Sequence, residues 1–102
     1  MLRVAMIIAA ALITLIIPEN DSLKGKRRVV KSLVEKVRHK FEAAVAEVGD
    51  NDLWQKAKIG VALVGNDSQF LERRLQQIMK YIENQHLAEI IDSQVELCYL
   101  EK

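Results

Sequence analysis

The densest group of chemically useful side chains is a run of cations in residues 22–40. Eight of the fifteen lysines and arginines lie between Lys24 and Lys40, and Glu35 is the only acid among them. Cations grouped in this way bind phosphates, and such binding weakens as the salt concentration rises. Solvation alone requires polar residues on the outside of a helix, but it does not require eight cations and one anion. The cluster therefore favours a polyanion, such as a nucleic acid, as a partner.

A helix would arrange four of these cations and Glu35 as a stripe along one side. Arg28, Lys31, Glu35 and Arg38 stand 4, 7, 11 and 14 residues after Lys24, which is helical periodicity, and Arg27 lies beside the stripe. The nucleic-acid-binding residues predicted on this basis are Lys24, Lys26, Arg27, Arg28, Lys31 and Arg38. The alternative interpretation is an ordinary solvated helix face.

A second group of reactive residues is acidic. Glu47, Asp50 and Asp52 are types that hold a hard cation or serve as acid and base, and Trp54 and Gln55 follow them. Three carboxylates without a histidine are fewer ligands than a recognised metal loop provides. We therefore expect a structural role, with an aspartate capping a turn. Trp54 has two interpretations, which are packing on the sheet edge and stacking on a nucleic-acid base.

The remaining reactive residues are isolated in the sequence. His39 and His86 have no partner at metal-ligand spacing, and Cys98 has no sequence neighbour that would activate its thiol. Gly60 and Gly65 do not belong to a phosphate-binding loop motif. The sequence therefore predicts no catalytic residue, no metal site and no cofactor, and we do not expect an enzyme.

Size and composition fit one folded domain over residues 1–102. Half of the residues are apolar and 28% are charged, which is ordinary for a globular protein. The net charge is +1, so the positive charge is a local feature rather than a property of the whole molecule. The single cysteine cannot form an internal disulfide, which favours a reducing compartment. We therefore expect a cytoplasmic protein.

The N-terminal segment has two interpretations. Residues 1–3 (MLR) and the apolar run from Val4 to Ile17 resemble the charged and hydrophobic regions of a signal peptide. The run has 14 residues, whereas a membrane-spanning helix needs roughly 20. Ile17, Pro18 and Glu19 follow where small residues would form a cleavage site. We favour a long buried strand that ends at Pro18, with no membrane association.

Hydrophobic periodicity divides the rest of the chain into two helices and three strands. Ser22 fits the N-cap of the first helix, and residues 65–68 (GNDS) supply a turn and a cap before the second. The apolar residues at helical spacing are Val30, Leu33, Val34, Val37 and Phe41 in the first helix and Leu71, Leu75, Ile78 and Ile82 in the second. Alternation predicts strands from Phe41 to Gly49, over residues 57–64, and from Ile91 to Tyr99, the last half-exposed.

The element order β-α-β-β-α-β predicts an α+β, ferredoxin-like fold, in which a four-stranded antiparallel sheet carries both helices on one face. The other face is left open, yet the first strand is apolar on both sides. Leu12 and Ile16 lie on the side of the strand opposite to Ile13. Small residues that extend this second face are Ala44, Ala46, Gly60 and Ala62. We expect a second copy to cover it, so that a homodimer forms through the open sheet face. The face lacks the paired aromatics of RNA-binding sheets.

Three segments carry a resemblance to a known family. They are residues 17–28, which contain IP and SLKGKRR, residues 46–55 (AEVGDNDLWQ), and residues 64–67 (VGND). Together they resemble the YlxP-like family of small bacterial proteins, over nearly the whole chain. The resemblance implies a ferredoxin-like fold and no established activity. The family's genes often lie beside genes for translation initiation and ribosome maturation, which implies a role near ribosomal RNA.

The function expected from these observations is a non-catalytic accessory factor that binds RNA or a ribosomal particle through the basic first helix. The alternative is a homo-oligomeric protein-interaction module without a nucleic-acid role.

The sequence departs from the family pattern in two places. Leu12 and Ile16 stand where the family has charged residues on the first strand, which strengthens the expectation of a covered face. Gly25 stands where the family usually has glutamate, so the capping box that Ser22 would form is lost. On that basis Gly25→Glu is expected to raise stability by roughly 1 kcal/mol.

Overall fold

The computed structural model of the protein describes residues 4–50 and 52–101. The predicted charged region at residues 1–3 and the motif position Asn51 lie outside the described residues.

The chain folds in the predicted order. The elements are β1 (Val4–Ile16), α1 (Leu23–Phe41), β2 (Ala44–Gly49), β3 (Lys56–Gly65), α2 (Ser68–Asn84) and β4 (Glu89–Glu101). All neighbouring strands are antiparallel, and the order across the sheet is β2-β3-β1-β4. The α+β, ferredoxin-like arrangement expected from the sequence is therefore confirmed.

The first apolar segment is the strand β1, as its sequence predicted. It lies in the interior of the sheet, between β3 and β4, so it is hydrogen-bonded along both edges. Burial of its core-facing side chains accounts for its content of Ile and Leu. Within the described part of the chain, no helix is long and apolar enough to cross a membrane.

The hydrophobic core lies between the sheet and the two helices. Alternate residues from Ile7 in β1 to Ile17 just after it are buried in the core, and they meet the buried stripes of the helices. The apolar residues that the helices bury are Val30, Leu33, Val37 and Phe41 from α1 and Leu71, Leu75, Ile78 and Ile82 from α2. The predicted apolar faces of both helices are therefore those that the fold uses, apart from Val34, which is only partly buried.

The boundary between α1 and β2 differs from the prediction. The alternating pattern placed Phe41 in the strand, but Phe41 is the last residue of the helix and packs in the core. Glu42 then takes a left-handed conformation, with φ of 52°, and ends the helix. Phe41 fits both the helical spacing of α1 and the alternating pattern of the following strand, because a buried residue at the end of a helix can also be the first apolar residue of an alternating segment.

Strand β4 is more exposed than the alternating sequence indicated. It is the edge strand beside β1, and Ile91, Val95 and Tyr99 are all exposed although they were expected on a buried face. Its register shifts between the pairs Thr14↔Asp92 and Leu15↔Ile90, so that Ile91 is an extra residue without a partner on β1.

Candidate nucleic-acid interface

The basic helix α1 begins at a well-formed cap. Ser22 has an extended backbone, and its Oγ accepts a hydrogen bond of 3.0 Å from the amide of Gly25. The amide of Lys26 donates to the carbonyl of Ser22 at 3.1 Å, which closes the first turn. The predicted N-cap is therefore confirmed.

Four of the predicted cations form an exposed group on α1. Lys24, Arg27, Arg28 and Lys31 are exposed and occupy the first half of the helix. The first turn contains no acid, so these cations add to the positive end of the helix dipole instead of neutralising it. A strongly positive surface results, at an energetic cost to the isolated helix.

Arg38 is exposed too, but it already has a structural contact. Its Nη2 donates a hydrogen bond of 2.7 Å to the carbonyl of Val45 and so ties the end of α1 to β2. A guanidinium has five N–H donors, so the remaining donors can still meet a phosphate.

Lys26 does not belong to the exposed group, which corrects its inclusion among the phosphate-contacting residues. Its side chain is 1% exposed, and Nζ lies 3.2 Å from Oε2 of Glu47 in an ion pair. Nζ also donates to the carbonyl of Asp50. The physical reason is the position on the helix, since Lys26 precedes Val30, Leu33 and Val37 at helical spacing and faces the sheet with them.

The exposed cations of α1 are not in ion pairs in the described part of the chain. Across residues 4–50 and 52–101, the ion pair between Lys26 and Glu47 is the one that falls within 4.0 Å. Lys24, Arg27, Arg28 and Lys31 are therefore exposed without a carboxylate in direct contact among these residues.

A second group of cations lies between the two helices and was not singled out by the sequence. Lys40 lies 5.3 Å from the ring centre of Tyr81, and Arg74 lies 5.2 Å from that of Phe41 and donates to its carbonyl at 3.3 Å. Beside them, Lys36, His39 and Tyr81 line a shallow hollow of about 580 Å³. The spacing of Lys36 and Lys40 on α1 was the available signal, whereas Arg74 joins them only through the packing of α2.

The acidic motif and the start of α1 come together in the fold. The amide of Asn20 donates to the carbonyls of Ser22, at 2.7 Å, and of Trp54. The amide of Gln55 donates to the carbonyl of Asn20 at 3.0 Å. The loop between β2 and β3 is thereby fastened to the turn that precedes the basic helix. Asn20, which makes these contacts, is not among the site residues predicted from the sequence.

The acids of this motif have separate environments. Glu47 pairs with Lys26, while Asp52 is exposed. Asp50 takes a left-handed conformation with φ of 60°, and its carbonyl accepts from Lys26 and from the amide of Leu53 at 3.1 Å. Among the described residues, no three His, Cys, Asp or Glu side chains are placed to hold a metal ion. These contacts give structural roles to Glu47, Gln55 and the backbone of Asp50. The turn cap predicted for an aspartate side chain of this motif is not seen among the described residues, where Oδ2 of Asp50 is buried without a hydrogen-bond partner.

Trp54 lies in the same loop with its side chain 53% exposed. Its carbonyl is held by Asn20, so the backbone is fixed close to the start of α1. An exposed indole beside a basic helix is a suitable surface for stacking on a base.

The open face of the sheet is a second candidate surface. Its central residues are small, namely Ala10, Ala44, Ala46, Gly60 and Ala62, and they line a shallow hollow of about 620 Å³. Val48 leans over Gly60, where a Cβ would lie 3.1 Å from its Cγ1. The predicted second apolar face is therefore present, with Leu12 and Ile16 half-buried and Ala10, Ala44 and Ala46 exposed.

The fold and these surfaces define a small α+β protein of ferredoxin-like topology. Residues 8–95 match the family described as "Protein of unknown function (DUF503)", and the chain belongs to that family. The uncharacterized protein YlxP of Bacillus subtilis (strain 168) is 35% identical over 69 residues, which are 68% of this chain and 75% of YlxP. The resemblance to the YlxP-like family is confirmed.

Solved structures resemble the chain in fold alone. Protein YJCS, a structural genomics target, has a TM-score of 0.50 at 13% identity and is matched over 87% of this chain and 96% of its own. The de novo designed protein Foldit4 has a TM-score of 0.47 at 18% identity, with 94% and 98% coverage, and supports no further argument.

Proposed function

We propose that the protein is a non-catalytic accessory factor that binds RNA phosphates through the exposed face of α1. The observation that carries this proposal is a group of four exposed cations that form no ion pair with any described residue, namely Lys24, Arg27, Arg28 and Lys31. Like charges grouped on one helix repel each other, and a bound polyanion relieves that repulsion.

The geometry of the helix suits a phosphate backbone. Lys24 and Arg38 are separated by 14 residues, which spans about 21 Å along a helix. A basic stripe of that length can contact several successive phosphates. Trp54 would add stacking on an unpaired base near the start of the helix.

A non-catalytic role is proposed because the carboxylate of Glu47 is already paired with Lys26. Asp50 contributes its backbone carbonyl, and not its carboxylate, to the contacts that hold the turn. The partner suggested by the family resemblance is ribosomal RNA or a ribosomal particle, and this role places the protein in the cytoplasm.

The test is binding to a fluorescently labelled ribosomal RNA hairpin, measured by anisotropy between low and physiological salt. Wild type should bind at low salt, with an affinity that falls by roughly 0.7 to 0.9 log units per log unit of salt for each phosphate contacted. Arg28→Glu/Lys31→Glu should abolish binding at physiological salt, because it reverses half of the exposed group.

The matched control is Arg73→Glu/Lys80→Glu on α2, which makes the same change in net charge at two exposed cations outside α1. This control should retain most of the affinity. Absence of binding by wild type at low salt, or equal loss in both double variants, contradicts the proposal.

A second candidate function is self-association, as a homo-oligomeric protein-interaction module. The observation that favours it is the open sheet face, where Leu12 and Ile16 are half-buried and Ala10, Ala44 and Ala46 are exposed. An apolar sheet face of this kind is stabilised when a second layer covers it.

Sedimentation velocity at protein concentrations from about 1 to several hundred micromolar tests the second candidate, because a weak dimer is detected within that range. We expect the sedimentation coefficient to rise with concentration towards that of a dimer. A coefficient that stays at the monomer value over the whole range contradicts self-association.

A further inference from the structure

We infer that two copies of the chain pack with their open sheet faces together about a two-fold axis that runs along β1, and that Lys58 and Lys56 of each copy pair with Asp92 and Glu89 of the other. This inference rests on the self-association proposed above, and it adds the geometry and the residues that set the register.

The strand register places opposite charges on the two sides of β1. Thr14 pairs with Lys58 on β3 and with Asp92 on β4, so the three residues form one row across the open face. Ile16 lies in the same way between Lys56 and Glu89. Strands in a sheet are about 4.8 Å apart, so lysine and acid in each row are separated by roughly 10 Å. Within the described chain they form no ion pair.

A two-fold rotation about β1 brings these charges together. The rotation exchanges the β3 side of the face with the β4 side, and it keeps each residue at its level along the strand. The Asp92 side chain of the second copy therefore lies over Lys58, and its Glu89 lies over Lys56. Facing sheets pack about 10 Å apart, a distance that long side chains from both layers bridge. The symmetry repeats both pairs, so the dimer gains each of them twice.

The same axis also matches side chains by size. Leu12 on β1 lies between Gln94 on β4 and Gly60 on β3. Ala10 lies in the same way between Glu96 and Ala62. After the rotation, the long side chains of Gln94 and Glu96 from one copy lie over Gly60 and Ala62 of the other. These small residues line the hollow of about 620 Å³ on the open face, which leaves room for the longer side chains.

Other two-fold axes do not give this match. An axis along β3 places Lys56 and Lys58 over their own copies, and an axis along β4 does the same for Asp92 and Glu89. An axis across the strands sets β3 against β3 and β4 against β4. Since β3 contains no acid and β4 contains no lysine or arginine, that axis forms no opposite-charge pair between equivalent strands. Like charges in contact oppose association.

A charge exchange tests the axis. We expect Lys58→Asp and Asp92→Lys, each alone, to weaken the dimer roughly tenfold or more at low salt, because each change places like charges together at two symmetric positions. The combined Lys58→Asp/Asp92→Lys variant should return to within about threefold of wild type, since every pair is restored with its charges reversed. Sedimentation equilibrium of the full chain gives the dissociation constants.

The matched control exchanges charges on the other side of the molecule. Lys80→Asp and Glu83→Lys alter exposed residues of α2 and should leave the dissociation constant unchanged. Circular dichroism melting establishes that every variant is folded. If a charge reversal fails to fold, the neutral single substitution Lys58→Met or Asp92→Asn takes its place. Each neutral substitution should weaken the dimer by a smaller factor than the charge reversal at the same position.

The outcomes separate the two proposals. A wild-type chain that remains monomeric contradicts self-association itself, and the axis with it. A wild-type dimer that the single reversals leave intact, or that the combined exchange fails to restore, keeps self-association and overturns the axis along β1.

Discussion

Lys26 is a cation that the fold uses internally. Its stem lies on the core-facing side of α1, and its ammonium group reaches Glu47 and the carbonyl of Asp50. The Glu47 side chain is 22% exposed, so the pair lies at the margin of the core, where water still reaches one partner. A lysine in this position fixes the loop between β2 and β3 against the helix, and it does not contribute charge to the exposed surface.

Replacing Lys26 should therefore affect stability and not RNA binding. We expect Lys26→Met to lower the free energy of unfolding by about 3 kcal/mol, because it leaves Glu47 and a carbonyl without their donor. Urea denaturation followed by circular dichroism measures the change. The control is Lys26→Met/Glu47→Gln, which should be less destabilised than the single variant because no unpaired charge remains. A Lys26→Met protein of unchanged stability with reduced RNA affinity contradicts this assignment.

At the scale of the element, the start of α1 is defined by the turn before it as much as by its own residues. Gly25 has no side chain, and the Oδ1 of Asn20 occupies the space that a Cβ would take. The Asn20 amide is held there by the carbonyls of Ser22 and Trp54. The sequence alone suggested that Gly25 weakens a capping box, but glycine is required for the close approach of Asn20. The expectation that Gly25→Glu stabilises the protein is therefore withdrawn.

We expect Gly25→Ala to destabilise the protein by about 1 kcal/mol, the reverse of the usual effect of alanine in a helix. The new Cβ displaces Asn20, and its hydrogen bonds to the loop are lost. Thermal and urea denaturation measure the change. In an Asn20→Ala background the same substitution should be neutral or stabilising, since the clash is gone. A higher melting temperature for Gly25→Ala alone would favour the simple propensity argument.

The exposure of β4 also depends on its neighbours. Its alternating sequence is typical of a strand with one buried face, but β4 is an edge strand and the helices cover little of it. The acids at Glu89, Asp92 and Glu96 keep its open side polar, in the manner by which edge strands avoid unwanted pairing. Periodicity describes which residues share a face, and it does not state whether another element covers that face.

At the scale of the whole molecule, the two proposed surfaces lie on opposite sides of the sheet. The helices form one layer, and the open face forms the other side. A dimer built on the open face would therefore present two basic helices outwards, one on each side. Such a dimer would have two RNA-binding surfaces, and binding at both to one long RNA would raise the apparent affinity.

Local sequence patterns are enough to predict the order of the elements, the apolar faces of both helices, the interior strand β1 and the family. These follow from local periodicity, caps and motif spacing, which depend on residues close together in the chain. The sequence also shows that the cations are concentrated on α1.

Which of those cations are exposed depends on how separate elements pack together. Lys26 differs from Lys24 and Arg28 because the loop carrying Glu47 and Asp50 packs against its side of the helix. The charges on the open face acquire their arrangement in the same way, because strand pairing places Lys58 and Asp92 on either side of Thr14. The separation of these residues in the sequence does not indicate which of them become neighbours in space, since contacts between separate elements form only when the sheet and helices pack together.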